Sequence, residues 1–186
     1  ALVSLGRKIT LEPSLILWLS VLWFCREDLV LPFLLAVAVH ELGHISLLLL
    51  LHRPPKSIIL GVSGAQLETP ALSYLQTCLA AAAGPVASLL LALCAPLWPA
   101  LALYSLILGL FNLLPVPGLD GGVMLSSLLL WALPESAARR IAGYLGLLTA
   151  LGLWGGALYL SGPGGFGLWP LMLAGIFLYK ALSLSL

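Results

Sequence analysis

His40-Glu41-Leu42-Gly43-His44 sits in the middle of an apolar stretch that runs from Leu29 to Leu51. Such a stretch has the length and character of a bilayer-crossing helix, which needs about 20 apolar residues. Three ionisable side chains at helical spacing are expensive there, at about 2.5–3.5 kcal/mol each at the centre of a membrane helix. The fold must therefore bring them partners, and a bound metal ion is the partner their chemistry suggests.

The rest of the chain has the same character. Of 186 residues, 61% are hydrophobic and 8% are charged. A water-soluble domain carries about 25% charged residues, so this chain cannot cover a water-facing surface. It reads as a polytopic membrane protein embedded in the lipid bilayer. The formal net charge is +1 and there is no basic cluster, which excludes nucleic acid as an expected partner. Cys25, Cys78 and Cys94 are odd in number and lie in apolar runs, where cysteine behaves as a small hydrophobe.

Hydropathy predicts six transmembrane helices and an all-α fold. The first span covers about 11–25 and reads as a membrane anchor; the polar turn Arg26-Glu27-Asp28 separates it from the second, 29–51. His52-Arg53-Pro54-Pro55-Lys56 stops that helix at the interface. Ser57–Thr69 is β-branched and punctuated by glycine, so a short β segment is expected between the second and third spans. The third span, 71–97, is interrupted by Gly84-Pro85.

The fourth segment, 101–133, would be about 50 Å long as one helix, against a hydrocarbon core of about 30 Å. Two prolines and three glycines between Asn112 and Gly122 break it near Asp120. Irregular backbone at membrane depth survives only where it lines a protein-enclosed or polar cavity. The fifth and sixth spans are 141–160 and 166–184, joined through Ser161–Gly165. With six spans, Arg7, Lys8, Arg53, Lys56, Arg139 and Arg140 all fall on one side, so both termini are expected in the cytoplasm. The whole chain, 1–186, reads as one integral-membrane domain.

Residues i and i+4 share a helix face, so the imidazoles of His40 and His44 can grip one ion. Glu41 is rotated by about 100° from His40 and points beside the ion, where a general base belongs. A catalytic zinc site has three protein ligands and an open fourth position. Among the seven acidic residues, only Glu41 and Asp120 lie far from an expected water interface. Elimination therefore assigns Asp120 as the third ligand. Four ionisable groups at membrane depth would cost on the order of 10 kcal/mol unpaired. Binding of structural zinc releases about 10–16 kcal/mol, enough to offset that.

The constellation resembles the site-2 protease family of intramembrane zinc metalloproteases. The matching stretches are AVAVHELGHISLLLLL (36–51), AAAGPVASLLLA (81–92) and FNLLPVPGLDGG (111–122). The compact layout is most similar to the bacterial branch that includes the sporulation-factor-processing protease. The resemblance implies one catalytic Zn²⁺ held by His40, His44 and Asp120, with Glu41 as catalytic base. It also implies that Asn112 lies near the substrate backbone.

The family often has Asn a few residues after the Gly-Pro of the third span, where this chain has Ser88. Members often carry a PDZ or CBS domain; neither is expected here, so any regulator is expected to be a separate membrane protein. The implied activity is hydrolysis of a peptide bond in or near a transmembrane segment of a membrane-anchored protein, in a bacterial cell membrane. A substrate helix must unwind to be cut, and the Ser57–Thr69 segment is expected to offer a strand edge that holds it extended. The competing readings are a metal transporter and a non-proteolytic protein that binds a membrane partner.

Overall fold

The computed structural model describes residues 8–11, 13–61, 64–162 and 169–185. Arg7, which entered the orientation argument, lies outside the described residues, as do Pro163–Gly165 of the last connector and the first residues of the expected sixth span. The element order is β1 (Lys8–Leu11), α1 (Pro13–Leu50), β2 (Ser57–Gly61), β3 (Gly64–Glu68), α2 (Tyr74–Leu91), a 3₁₀ turn (Ala92–Cys94), α3 (Pro99–Asn112), α4 (Asp120–Ala132), α5 (Glu135–Leu160) and α6 (Trp169–Ser185).

This architecture corrects the expected one. Among the described residues, three helical stretches, rather than six, are long and apolar enough to cross a membrane: Val30–Leu50, Tyr74–Cys94 and Glu135–Leu160. Where one broken span was expected, α3 and α4 are separate helices of 14 and 13 residues. At 1.5 Å per residue each is about 20 Å long, too short to cross the hydrocarbon alone. Hydropathy registers an apolar run but not the helix length that remains after a break.

The expected division at Arg26–Asp28 is also absent, because the backbone is helical throughout Pro13–Leu50. Pro32 lies within this helix.

Nor is the fold purely α, with one isolated β segment. The described strands form a single sheet in the order β1-β2-β3, with β1 parallel to β2 and β2 antiparallel to β3. Lys8 pairs with Ser57 on one side, and Ser57 with Glu68 on the other. Ile58 and Leu60 thus belong to the central strand, with both of its backbone edges already paired. Within Ser57–Thr69 the expected strand edge is therefore not on β2; among the described residues β3 pairs on one side only, with β2.

The packing is that of membrane helices, with small residues inside and leucines outside. The buried hydrophobic positions include Ala36, Ala80, Ala81, Ala102, Ala138, Ala150, Ala157, Ala174 and Ala181. Leu31, Leu42, Leu50, Leu90, Leu93 and Leu148 are exposed. Lipid solvates leucine as well as a protein interior does, so helices associate through small residues that allow close approach.

Local sequence explains the helix ends. Arg53 N–H bonds the Leu48 carbonyl and His52 N–H bonds the Leu49 carbonyl, the pattern of a Schellman cap. His52 takes the left-handed conformation this cap requires, with φ 57°. At the start of α2, Ser73 and Gln76 form a reciprocal capping box.

Candidate metal centre

The inward face of α1 is set by the four-residue repeat Pro32, Ala36, His40, His44 and Leu48, all buried. His40 and His44 are 4% and 8% exposed, so the imidazoles are withdrawn from solvent and lipid alike. Their Nε2 atoms are 3.2 Å apart.

α2 packs directly on this face, and its own four-residue repeat meets the two rings. Ser88 Oγ lies 2.9 Å from His40 Nδ1. His44 Nδ1 lies 2.7 Å from the Ala80 carbonyl. Gly84, midway between them, sits against the His44 ring, and a β-carbon there would overlap the imidazole. At Gly43 an added β-carbon would similarly meet Ala87 and the Ala83 backbone. The glycines bring the two helix axes close enough for the Ser88 and Ala80 contacts to form.

Asp120 arrives from the other side, on the first residue of α4. The stretch 113–119 that delivers it is short of helical hydrogen bonds because Pro115 and Pro117 have no N–H. It turns instead through Val116 N–H to the Leu114 carbonyl (2.8 Å) and Leu119 N–H to the Val116 carbonyl (3.0 Å). Gly118 takes φ 92°, in the region that favours glycine. Val116 and Leu119 pack with Phe177 of α6 in a buried apolar cluster, which anchors the turn. Leu119 is the N-cap of α4 and makes no side-chain cap bond.

Asp120 Oδ2 lies 3.1 Å from His40 Nε2 and 3.3 Å from His44 Nε2. The three atoms form a nearly equilateral triangle. A tetrahedral ion with ligand distances of about 2.0–2.1 Å has edges of about 3.3 Å, so the triangle matches one face of such a site. Asp120 Oδ2 is buried and has no hydrogen-bond partner. A carbonyl can only accept, so His44 Nδ1 carries the proton of the neutral ring, and its Nε2 lone pair points at Asp120. Converging lone pairs and an orphaned buried oxygen are what a cation would satisfy. Among the described residues, His40, His44 and Asp120 are the one group of this kind able to hold a metal ion.

Glu41 is half-buried on α1, rotated away from the triangle by one residue. Asn112 is the last residue of α3, and its side-chain amide donates to the Leu108 carbonyl at 3.0 Å. That bond uses one of its two N–H donors. Ser88, Ala80 and Gly84 were not assigned roles from sequence. The available signal was a polar residue four positions after a glycine in an otherwise apolar helix.

The comparisons with known proteins agree with this geometry. The model of Peptidase family M50 matches residues 94–153, the stretch that carries Asn112, the turn and Asp120. Among solved structures, the Site-2 Protease from Methanocaldococcus jannaschii is similar with a TM-score of 0.71 at 22% identity, over 98% of this chain and 92% of that one. No curated protein sequence matches. The solved structure establishes a common fold, the family model matches the segment that delivers Asp120, and the triangle able to hold a metal ion joins that segment to α1. The matched family segment thus carries one corner of that triangle, and α1 carries the other two.

Proposed function

We propose that the chain hydrolyses a peptide bond in or near a transmembrane segment of a membrane-anchored protein. Zinc is the proposed ion, with His40, His44 and Asp120 as its ligands and Glu41 as the base. The observation that carries the reading is the triangle of Nε2, Nε2 and Oδ2 atoms at 3.1–3.3 Å, built from two segments 76 residues apart (120 − 44). Two imidazoles and one carboxylate are the donor set of a hydrolytic zinc site with one position left open. When bound, zinc supplies Lewis acidity and lowers the pKa of water to about 7.

The remaining steps belong to side chains. Glu41 takes a proton from the attacking water and returns it to the leaving amine, a role worth about 10²–10⁴-fold. The second N–H of Asn112 and its carbonyl oxygen are proposed to hold the substrate backbone. The small residues of α2 keep the imidazoles from rotating, and the leucine-rich exterior keeps bulk water away.

The ends of the chain are proposed to face the cytoplasm of a bacterial cell. Arg53 and Lys56 follow α1, and Arg139 and Arg140 begin α5, a bias expected of cytoplasmic loops. The pairing of β1 with β2 supports an N-terminus on the side of Arg53 and Lys56. The proposal extends to one membrane domain spanning 1–186, to a separate membrane protein as regulator, and to kinship with the sporulation-factor-processing branch. That kinship rests on the sequence resemblance.

The purified chain, incubated with a candidate transmembrane substrate, tests the reading against Glu41→Gln. Cleavage by the wild type and a loss of about 10²–10⁴-fold in the variant is expected. Equal processing by both would overturn the assignment.

A further inference from the structure

We infer that Ser88 is a positioning residue for the metal centre: its hydroxyl fixes the orientation of the His40 ring and thereby the affinity for the ion. The inference rests on the metal reading above and assigns a role to a residue outside the ligand set.

Ser88 is fully buried, at 0% exposure, in an apolar helix. A hydroxyl in that position needs a partner, and its hydrogen bond runs to His40 Nδ1 at 2.9 Å. Space for it is made by Gly109 of α3, where an added β-carbon would press on Ser88 Cβ at 3.2 Å. For His40 Nε2 to hold the ion, Nδ1 must carry the ring proton, and Ser88 Oγ is then the acceptor in reach.

The two imidazoles are held by different means. His44 Nδ1 faces a backbone carbonyl, which accepts only, so its tautomer is fixed whatever residue occupies position 80. His40 relies on a side chain, which substitution can remove. Its orientation is thus the adjustable half of the site. Outer partners of ligand histidines typically contribute about 10–100-fold to metal affinity.

Ser105 provides a matched control. It is also at 0% exposure, on α3, but its hydroxyl donates to the Leu101 carbonyl of its own helix. Ser105→Ala therefore removes the same atom from an equally buried place without touching a ligand.

The experiment measures zinc affinity of the full-length chain in detergent by competition with a chromophoric chelator. It adds the visible absorption spectrum of the Co²⁺-loaded protein. Ser88→Ala is expected to weaken zinc binding about 10–100-fold and to shift the Co²⁺ bands, with Ser105→Ala doing neither. Affinity of Ser88→Ala within twofold of wild type, or an equal loss in Ser105→Ala, would overturn the inference. An unchanged Co²⁺ spectrum in Ser88→Ala would do the same, since lost packing alone does not alter ligand geometry. Failure of the wild type to bind zinc at all would overturn the metal reading itself, and this inference with it.

Discussion

Gly84 of α2 lies so close to the imidazole of His44 that a β-carbon at Gly84 would overlap Nε2, the atom turned toward Asp120. The absence of one methyl group thus shapes the metal centre from behind. His44 is also held by the Ala80 carbonyl one turn earlier, so its ring has no room to move aside while keeping that bond.

Gly84→Ala is expected to displace His44 and to lower proteolytic activity by about 10²-fold or more, as misplacement of about 1 Å does elsewhere. In an ordinary helix the same change would favour helix formation by about 1 kcal/mol. Activity assays combined with circular dichroism separate the two effects. Full helicity with lost activity is the expected outcome; retained activity would show that the ring is not confined as described.

Ligand and base substitutions should part company in metal content. Asp120→Asn and His44→Ala are expected to lose zinc, because each removes one corner of the triangle. Glu41→Gln is expected to retain it and lose only turnover. Metal analysis of the purified variants reads this directly. Zinc loss in Glu41→Gln would move Glu41 into the ligand set.

The glycines after Asp120 make a separate prediction. A β-carbon at Gly121 would collide with the Leu113 and Leu114 backbone, and one at Gly122 with the Val116 backbone. Backbone cannot swing aside as a side chain can, so Gly121→Ala should push the first turn of α4 away from α1. A destabilisation of about 1–3 kcal/mol is expected, the usual range for overpacking. Thermal unfolding in detergent reads the loss, and it should be accompanied by weaker zinc binding.

Removal of the ion is the fourth prediction. A strong zinc chelator should abolish cleavage, and added zinc should restore it in the wild type but not in Asp120→Asn. Cleavage that persists in the chelator would argue against a metal-dependent reaction.

Parts of this site could be read from local order alone. His40 and His44 share a face because four residues make about one helical turn, whatever the rest of the chain does. Asp120 was reachable by elimination, since so few acidic residues lie away from the expected interfaces. Gly84 and Ser88 stood out in the sequence, but the contacts that they and Ala80 make with the two imidazoles were not reachable. They matter because of which side of α2 meets α1, and an apolar helix with little amphipathic bias does not announce that side.

The span count failed for a related reason. Hydropathy sums residues over a window and is blind to the breaks that leave α3 and α4 too short to cross alone. It also placed a turn at Arg26–Asp28, where the backbone is helical throughout. The pairing of β1 with β2 was invisible as well, because it joins residues 49 apart in sequence (57 − 8) through backbone hydrogen bonds that carry no side-chain signature.

The amino-acid order dictated the chemistry available: an apolar chain, two imidazoles one turn apart with Glu41 between them, one further acidic residue far from water, and a proline-glycine turn to carry it. These follow from composition and short-range geometry. Packing decided whether those groups meet. Small residues let α2 close on α1, the apolar cluster around Val116 and Leu119 anchors the turn, and Asp120 Oδ2 comes within 3.3 Å of both Nε2 atoms. Contacts between distant segments depend on how whole helices fit together, which short-range sequence does not encode.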